Sequence, residues 1–204
     1  MKIICIGRNY AEHAKELGND VPTEPVFFCK PDSAILPKGN PFFIPAWTDD
    51  IHYEVEIVIR INRLGKFIAE EFADRYYNEV GLGIDFTARK VQDELKKKGL
   101  PWEKAKAFDG SAVISHDFLP VESVNFNNGV KFQLYRNDVL VQNGHSGDMI
   151  FNIPKIISCV SQYMTLKIGD YIFTGTPSGV GKVERGDSLR GVLEGKEMFD
   201  IRVR

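Results

Sequence analysis

The chain has 204 residues, 43% of them hydrophobic and 26% charged, enough to bury a core with no need of disulfides or a metal merely to fold. Its 26 lysines and arginines against 28 aspartates and glutamates leave a formal net charge of -2, which excludes a whole-molecule basic field for nucleic acid; any anion must be held by local charges. The three cysteines, Cys5, Cys29 and Cys159, lack CxxC or CxxH spacing, so neither a disulfide framework nor a structural zinc site is expected, and a reducing compartment suits them.

The apolar run Ile3 to Ile6 is cut off by Gly7, Arg8 and Asn9, too early for a signal-peptide core, and predicts a strand over 2–6. No segment approaches the roughly 20 apolar residues that cross a bilayer, so a cytoplasmic protein with no membrane partner is expected. A two-turn helix is predicted from Tyr10 to Leu17, with Asn9 as its cap, Glu12 in capping-box spacing and Gly18 as its stop. Strands follow at 26–29, 53–61 and 80–84. A second helix, 87–98, has Ala88, Val91 and Leu95 on one face, Thr87 as its cap, and three lysines before Gly99 and Pro101. Strands at 130–135 and 139–142 flank a hairpin turn at Arg136, Asn137 and Asp138. A third helix begins near Asn152 and runs through Met164, and strands at 171–174 and 188–203, the latter turning near Gly195, close the chain. With no repeat and no long linker, these elements predict one domain over 1–204 of class α+β, β-rich, with short helices at its edges.

The segment IHYEVEIVIRI carries the chemical signal. Alternation puts Tyr53, Val55, Ile57, Ile59 and Ile61 on one face and His52, Glu54, Glu56 and Arg60 on the other, so the two glutamates point the same way. Two carboxylates at i and i+2 repel each other unless water, a base or a cation lies between them. They fit either a solvated strand face or a cation site. Asp85, at the end of the next apolar strand, could cap the second helix or join them. Glu54, Glu56 and Asp85 together offer three hard oxygen ligands suited to Mg²⁺ or Mn²⁺, with no histidine or thiolate set competing for a softer metal.

Several segments in shared order, GRNYAEHAKEL, EPVFFCKP, HYEVEI, GIDFTARKVQDELKKKGLPW, KAFDGSA, DMIFNIPKIISCVS and GDYIFTGTPSGVG, resemble the fumarylacetoacetate hydrolase family, above all its small acylpyruvase and oxaloacetate decarboxylase branch. The resemblance implies a mixed β-sandwich or β-roll, a homodimer, and Mg²⁺ or Mn²⁺ on Glu54, Glu56 and Asp85. It implies that Lys106 faces the substrate, that Arg89, Gln92 and Thr176 line the pocket, and that His13 and Glu16 sit on a lid helix and activate water.

The charges fit a small anionic 2-oxo acid as substrate. The three carboxylates, a divalent ion, Lys106 and Arg89 leave about one positive charge to be matched. The expected activity is hydrolysis of acylpyruvates at a C–C bond through a metal-stabilised pyruvate enolate, with oxaloacetate decarboxylation as a second outcome. The rivals are an isomerase or decarboxylase of an unsaturated 2-oxo diacid and, from a different class, a non-catalytic module that binds a cation or 2-oxo acid. His13 and Glu16, one turn apart, suit a base and its orienting carboxylate, or a mere exposed helix pair. Gly175, Gly179 and Gly181 predict a pocket-lining turn rather than a phosphate loop, Lys96, Lys97 and Lys98 a solvated helix end, and Trp47, Trp102, Phe27 and Phe28 packing positions.

Overall fold

A computed structural model describes residues 1–18 and 20–204. Position 19, in the N-terminal segment expected to carry the lid, lies outside the described residues. Strand β1 (Ile3–Gly7) leads through helix α1 (Ala11–Glu16) to β2 (Val26–Lys30), which pairs back on β1. Strands β3 (Ile51–Tyr53) and β4 (Val55–Ile61) are separated by Glu54, and β5 (Tyr77–Asp85) returns along β4. The two-residue β6 (Thr87–Ala88) enters α2 (Arg89–Lys97), followed by the one-turn α3 (Glu103–Lys106) and by β7 (Ala112–Ile114) and β8 (Leu119–Pro120). A hairpin of β9 (Lys131–Arg136) and β10 (Val139–His145), helix α4 (Ile153–Tyr163), β11 (Tyr171–Phe173), β12 (Gly181–Lys182) and a hairpin of β13 (Ser188–Leu193) and β14 (Lys196–Arg202) complete the order.

The strands form a seven-stranded mixed sheet, β2-β1-β11-β4-β5-β7 with β8 on β5, a four-stranded sheet β10-β9-β13-β14, and a small sheet β12-β3-β6. The four-stranded sheet packs Phe132, Leu134, Leu189 and Leu193 onto Val55, Ile57, Leu82 and Ile84 of the large one. Farther along the same strands, Ile59 and Ile61 meet α4 through Ile156, Ile157 and Val160, while Val58 points to the opposite face with Ile3, Cys5 and Phe173. The large sheet is therefore covered on both faces. This is why its central strand is a near-continuous apolar run, and why the solvated-face alternative for the glutamates fails: Glu54 and Glu56 are both buried.

Two predicted caps are corrected. Asn9 does not cap α1; its side-chain amide donates to the carbonyls of Phe151 at 3.0 Å and Thr174 at 2.7 Å and accepts from the Phe151 N–H at 2.8 Å, tying the end of β1 to the segments beside it. Tyr10 stands at the cap position without a side-chain bond, and Glu12 pairs with Lys15 instead of closing a capping box. Thr87 does not cap α2 either, because its backbone pairs with His52 in the small sheet and the helix begins only at Arg89. The face that α2 buries is polar, Arg89 and Gln92, with Val91 and Leu95 only half-buried. Asn152, by contrast, caps α4 as predicted, accepting from the Lys155 N–H at 2.9 Å.

Candidate active site

Three places in the fold bring the acids together. Glu54 falls in the break between β3 and β4, where the Val55 N–H is taken by the side-chain oxygen of Gln142 at 2.9 Å. Glu56 follows on β4, and Asp85 ends β5, its N–H donating to the Glu54 carbonyl at 2.9 Å. One carboxylate oxygen from each of Glu54, Glu56 and Asp85 lies within 4.8 Å of the others, all three residues buried. Asp85 caps no helix.

Cations ring this triad. Lys106 at the end of α3 donates to Glu54 Oε2 at 2.8 Å, Asp85 Oδ2 at 2.7 Å and Thr87 Oγ1 at 2.5 Å, so all three ammonium donors are engaged. Burial pulls its pKa down, but Asp85 and Glu54 outweigh burial and raise it above the usual lysine value. Arg89 is ion-paired with Glu54 and donates to Gln92 Oε1 at 2.8 Å. Burial alone would push the Glu54 carboxyl up; Lys106 and Arg89 reverse this and hold it well below the usual range. Glu56 differs. Its Oε2 accepts from the Gly175 N–H at 2.6 Å, and among the described residues no cation pairs with it; burial, then Asp85 and Glu54, drive its pKa well above normal. A buried carboxylate left without a counter-charge beside two others, in an all-oxygen set, is the environment a hard divalent ion fits.

His13 and Glu16 meet on α1, Nδ1 to Oε2 at 3.1 Å, with His13 buried against the pocket. Glu16 also accepts from the Gly179 N–H at 3.0 Å, so α1 is latched onto the turn after β11. Gly179 has φ +95°, and a Cβ there would stand 2.4 Å from the Val141 carbonyl oxygen, so only glycine fits beneath the latch. In the same turn Thr176 receives a hydrogen bond from Gln142 Nε2 at 2.9 Å and faces the pocket. With α1 in this position, the free space among these groups is about 30 Å³. A larger groove of about 290 Å³, lined in part by Lys38, His116 and Arg202, shares no residue with this site.

All nine residues singled out in the sequence thus lie at or beside one pocket, but four others were missed. Lys30, the last residue of β2, is fully buried; its ammonium lies 2.7 Å from Asp85 Oδ1, off hydrogen-bond direction, and donates to the Ser111 hydroxyl at 3.0 Å. Its charge corrects the earlier count: Lys30, Lys106 and Arg89 already balance the three carboxylates, so a divalent ion would leave two positive charges for a ligand rather than one. Gln142 holds both the Val55 backbone and Thr176. Arg8 and Lys96 line the pocket wall with Phe28 and Trp102, which corrects the solvated reading of Lys96. The signal for Lys30 was present in VFFCK, since a lysine closing an apolar strand requires either solvent or a buried acid.

A strand-rich α+β fold that sets a buried carboxylate triad under a latched helix defines the class: a small-molecule pocket whose oxygen ligands fit a hard cation. The chain belongs to the fumarylacetoacetate hydrolase family, whose model, described as fumarylacetoacetate (FAA) hydrolase C-terminal, matches residues 2–202. It is 44% identical over 193 residues to the oxaloacetate tautomerase FAHD1, mitochondrial, of Bos taurus, covering 95% of this chain and 87% of that one. It is 39% identical over 197 residues to the oxaloacetate tautomerase YcgM of Escherichia coli, covering 97% and 90%. The crystal structure of fumarylpyruvate hydrolase from Pseudomonas aeruginosa in complex with Mn²⁺ and pyruvate superposes with a TM-score of 0.92 at 36% identity, covering 100% of this chain and 89% of that one. The enzyme family and the fold expected from the sequence are therefore established. Among the described residues no helix is long and apolar enough to cross a membrane.

Proposed function

We propose that this chain is a single-domain, Mg²⁺- or Mn²⁺-dependent hydrolase that cleaves acylpyruvates at a C–C bond and also acts on oxaloacetate, working as a homodimer in the cytoplasm. Glu54, Glu56 and Asp85 would hold the ion, which supplies a Lewis acid for the 2-oxo group of the substrate. The observation that carries the hydrolytic reading is the His13–Glu16 pair, whose imidazole is buried against the pocket beside the triad while the Glu16 carboxylate reaches it from the exposed side of α1. A base there takes a proton from water as its oxygen adds to the distal carbonyl carbon; the C3–C4 bond breaks, and its electron pair passes into the pyruvate half, whose C3 is then protonated. Glu16 orients the imidazole and steadies its positive form. Arg89 and Gln92 position the carboxylate end, Thr176 closes the pocket floor, and Lys106 provides positive charge where negative charge develops. Such general-base assistance contributes a factor of about 10² to 10⁴, so His13→Ala should lower acetylpyruvate cleavage by that order.

The names of the relatives favour a second reading, interconversion or decarboxylation of oxaloacetate, which needs the same cation and 2-oxo recognition but no attacking water. Supplying the protein, with Mn²⁺ and after chelation, with acetylpyruvate, with enol and keto oxaloacetate, and with an unsaturated 2-oxo heptanedioate separates them. Cleavage of acetylpyruvate that depends on metal and on His13 is expected. Oxaloacetate turnover with acetylpyruvate untouched would remove the hydrolase reading and leave the second.

A further inference from the structure

The cations of the pocket outnumber what the triad and a 2-oxo acid require. Lys30, Lys106 and Arg89 balance the three carboxylates, and the two charges of a divalent ion match a carboxylate plus the negative charge developing on a neighbouring keto oxygen. Arg8 and Lys96 remain. Both line the same pocket, and among the described residues neither has an ion-pair partner. Arg8 occupies the turn after β1 with φ 59°, and its Nε is buried without a hydrogen-bond partner. Lys96 lies on α2 seven residues, about two turns, beyond Arg89 and so on the same side, its ammonium 5.7 Å from the ring centre of Trp102. Burial first, then the nearby charges of Arg89 and Arg8, push the Lys96 pKa down, while Asp93 and Glu54 oppose them. Two unpaired cations held close in a half-buried wall repel each other, and an anion between them relieves that repulsion.

We propose that Arg8 and Lys96 form a second anion subsite that takes the distal carboxylate of a dicarboxylic 2-oxo acid, so that diacids bind more tightly than acids with a neutral tail such as acetylpyruvate, which the metal end of the site still holds. This rests on the reading of the triad as the holder of a metal-bound 2-oxo acid. The 2-oxo carboxylate sits toward Arg89 and Gln92, the carbon chain crosses Phe28 and Trp102, and the second carboxylate reaches Arg8 and Lys96 at the outer wall. Neither cation takes part in bond making; they set which substrate is held.

The test is a calorimetric binding titration of the Mn²⁺-loaded protein with 2-oxoglutarate and 2-oxoadipate, against 2-oxopentanoate and 2-oxohexanoate, which have the same carbon counts but end in methyl. The wild type should prefer at least one diacid over its neutral counterpart by about tenfold or more, as a partly desolvated charge-assisted contact warrants. In Arg8→Gln and Lys96→Met that ratio should fall severalfold, in the double variant it should approach unity, and Lys96→Arg should restore most of it. A merely structural role would weaken both ligands alike and leave the ratio unchanged. Equal binding of diacid and neutral acid by the wild type, or a ratio unaffected in the double variant, would overturn the subsite while leaving the metal-centred reading intact. Failure of every 2-oxo acid to bind would remove that reading and the subsite with it.

Discussion

Replacing Lys30 by methionine, a side chain of similar length without the ammonium, should destabilise the chain by about 3–5 kcal/mol, the cost typical of removing one partner from a buried ion pair. The geometry supports the full cost. Lys30 is 1% exposed, its ammonium lies 2.7 Å from Asp85 Oδ1, and it donates to the Ser111 hydroxyl and to the carbonyls of Ser111 and Lys106. Lys106 cannot take over, since it is already bound to Asp85 Oδ2, Glu54 and Thr87. At about 2–4 °C per kcal/mol for a chain of this size, Tm should fall by about 6–20 °C, read by circular dichroism. Because a cation on the triad replaces the missing charge, Mn²⁺ should raise the Tm of Lys30→Met more than that of the wild type. Superimposable melting curves, or equal responses to Mn²⁺, would refute the claim that Lys30 neutralises Asp85.

Gly179→Ala should loosen α1, because the new methyl would collide with the Val141 carbonyl in a left-handed turn; a loss of about 1–3 kcal/mol and faster tryptic cleavage at Lys15 are expected, and unchanged cleavage would show that the Gly179–Glu16 bond does not hold the helix. Asp170 accepts from the Lys2 N–H at 2.8 Å, the Lys167 N–H at 2.8 Å and the Lys2 ammonium, contacts that outweigh burial and lower its pKa. A depressed carboxyl stabilises the fold above its unfolded value, near 3.9, and loses that effect as the pH falls through the lower folded value. Asp170→Asn should therefore cost stability at pH 7 and progressively less in acid, measured by urea unfolding; a cost that does not shrink by about pH 2 would contradict this.

The parts of the fold legible in the sequence were those fixed by local chemistry. Asn137 and Asp138, with φ 51° and 63°, make the predicted β9–β10 turn, and Glu194 and Gly195, with φ 47° and 77°, make the turn between β13 and β14. The Asn152 cap and the apolar stripe of α4 are equally local. Strands β6, β7 and β12 were not legible, because two or three residues carry no periodic signal and pair only where longer strands place them. The same logic divides the site. Two glutamates two residues apart in an apolar run, and an aspartate closing another, declared themselves by being acids in apolar surroundings. Asn9 has the residue type of a cap, but its partners Phe151 and Thr174 are brought to it by tertiary packing, and they win over the local bond. Lys30, Gln142 and Arg8 depend on which strands become neighbours, and the three-lysine run concealed that Lys96 alone turns inward.

The central claim is that Glu54, Glu56 and Asp85 jointly hold one divalent ion, and a Mn²⁺ titration followed by electron paramagnetic resonance addresses it directly. One tight site per chain is predicted, weakened at least a hundredfold in Glu56→Gln, which keeps the shape of the side chain but removes the carboxylate with which no cation among the described residues is directly paired. Wild-type protein that leaves Mn²⁺ free in solution, or a Glu56→Gln variant that binds it as tightly as the wild type, would contradict the account.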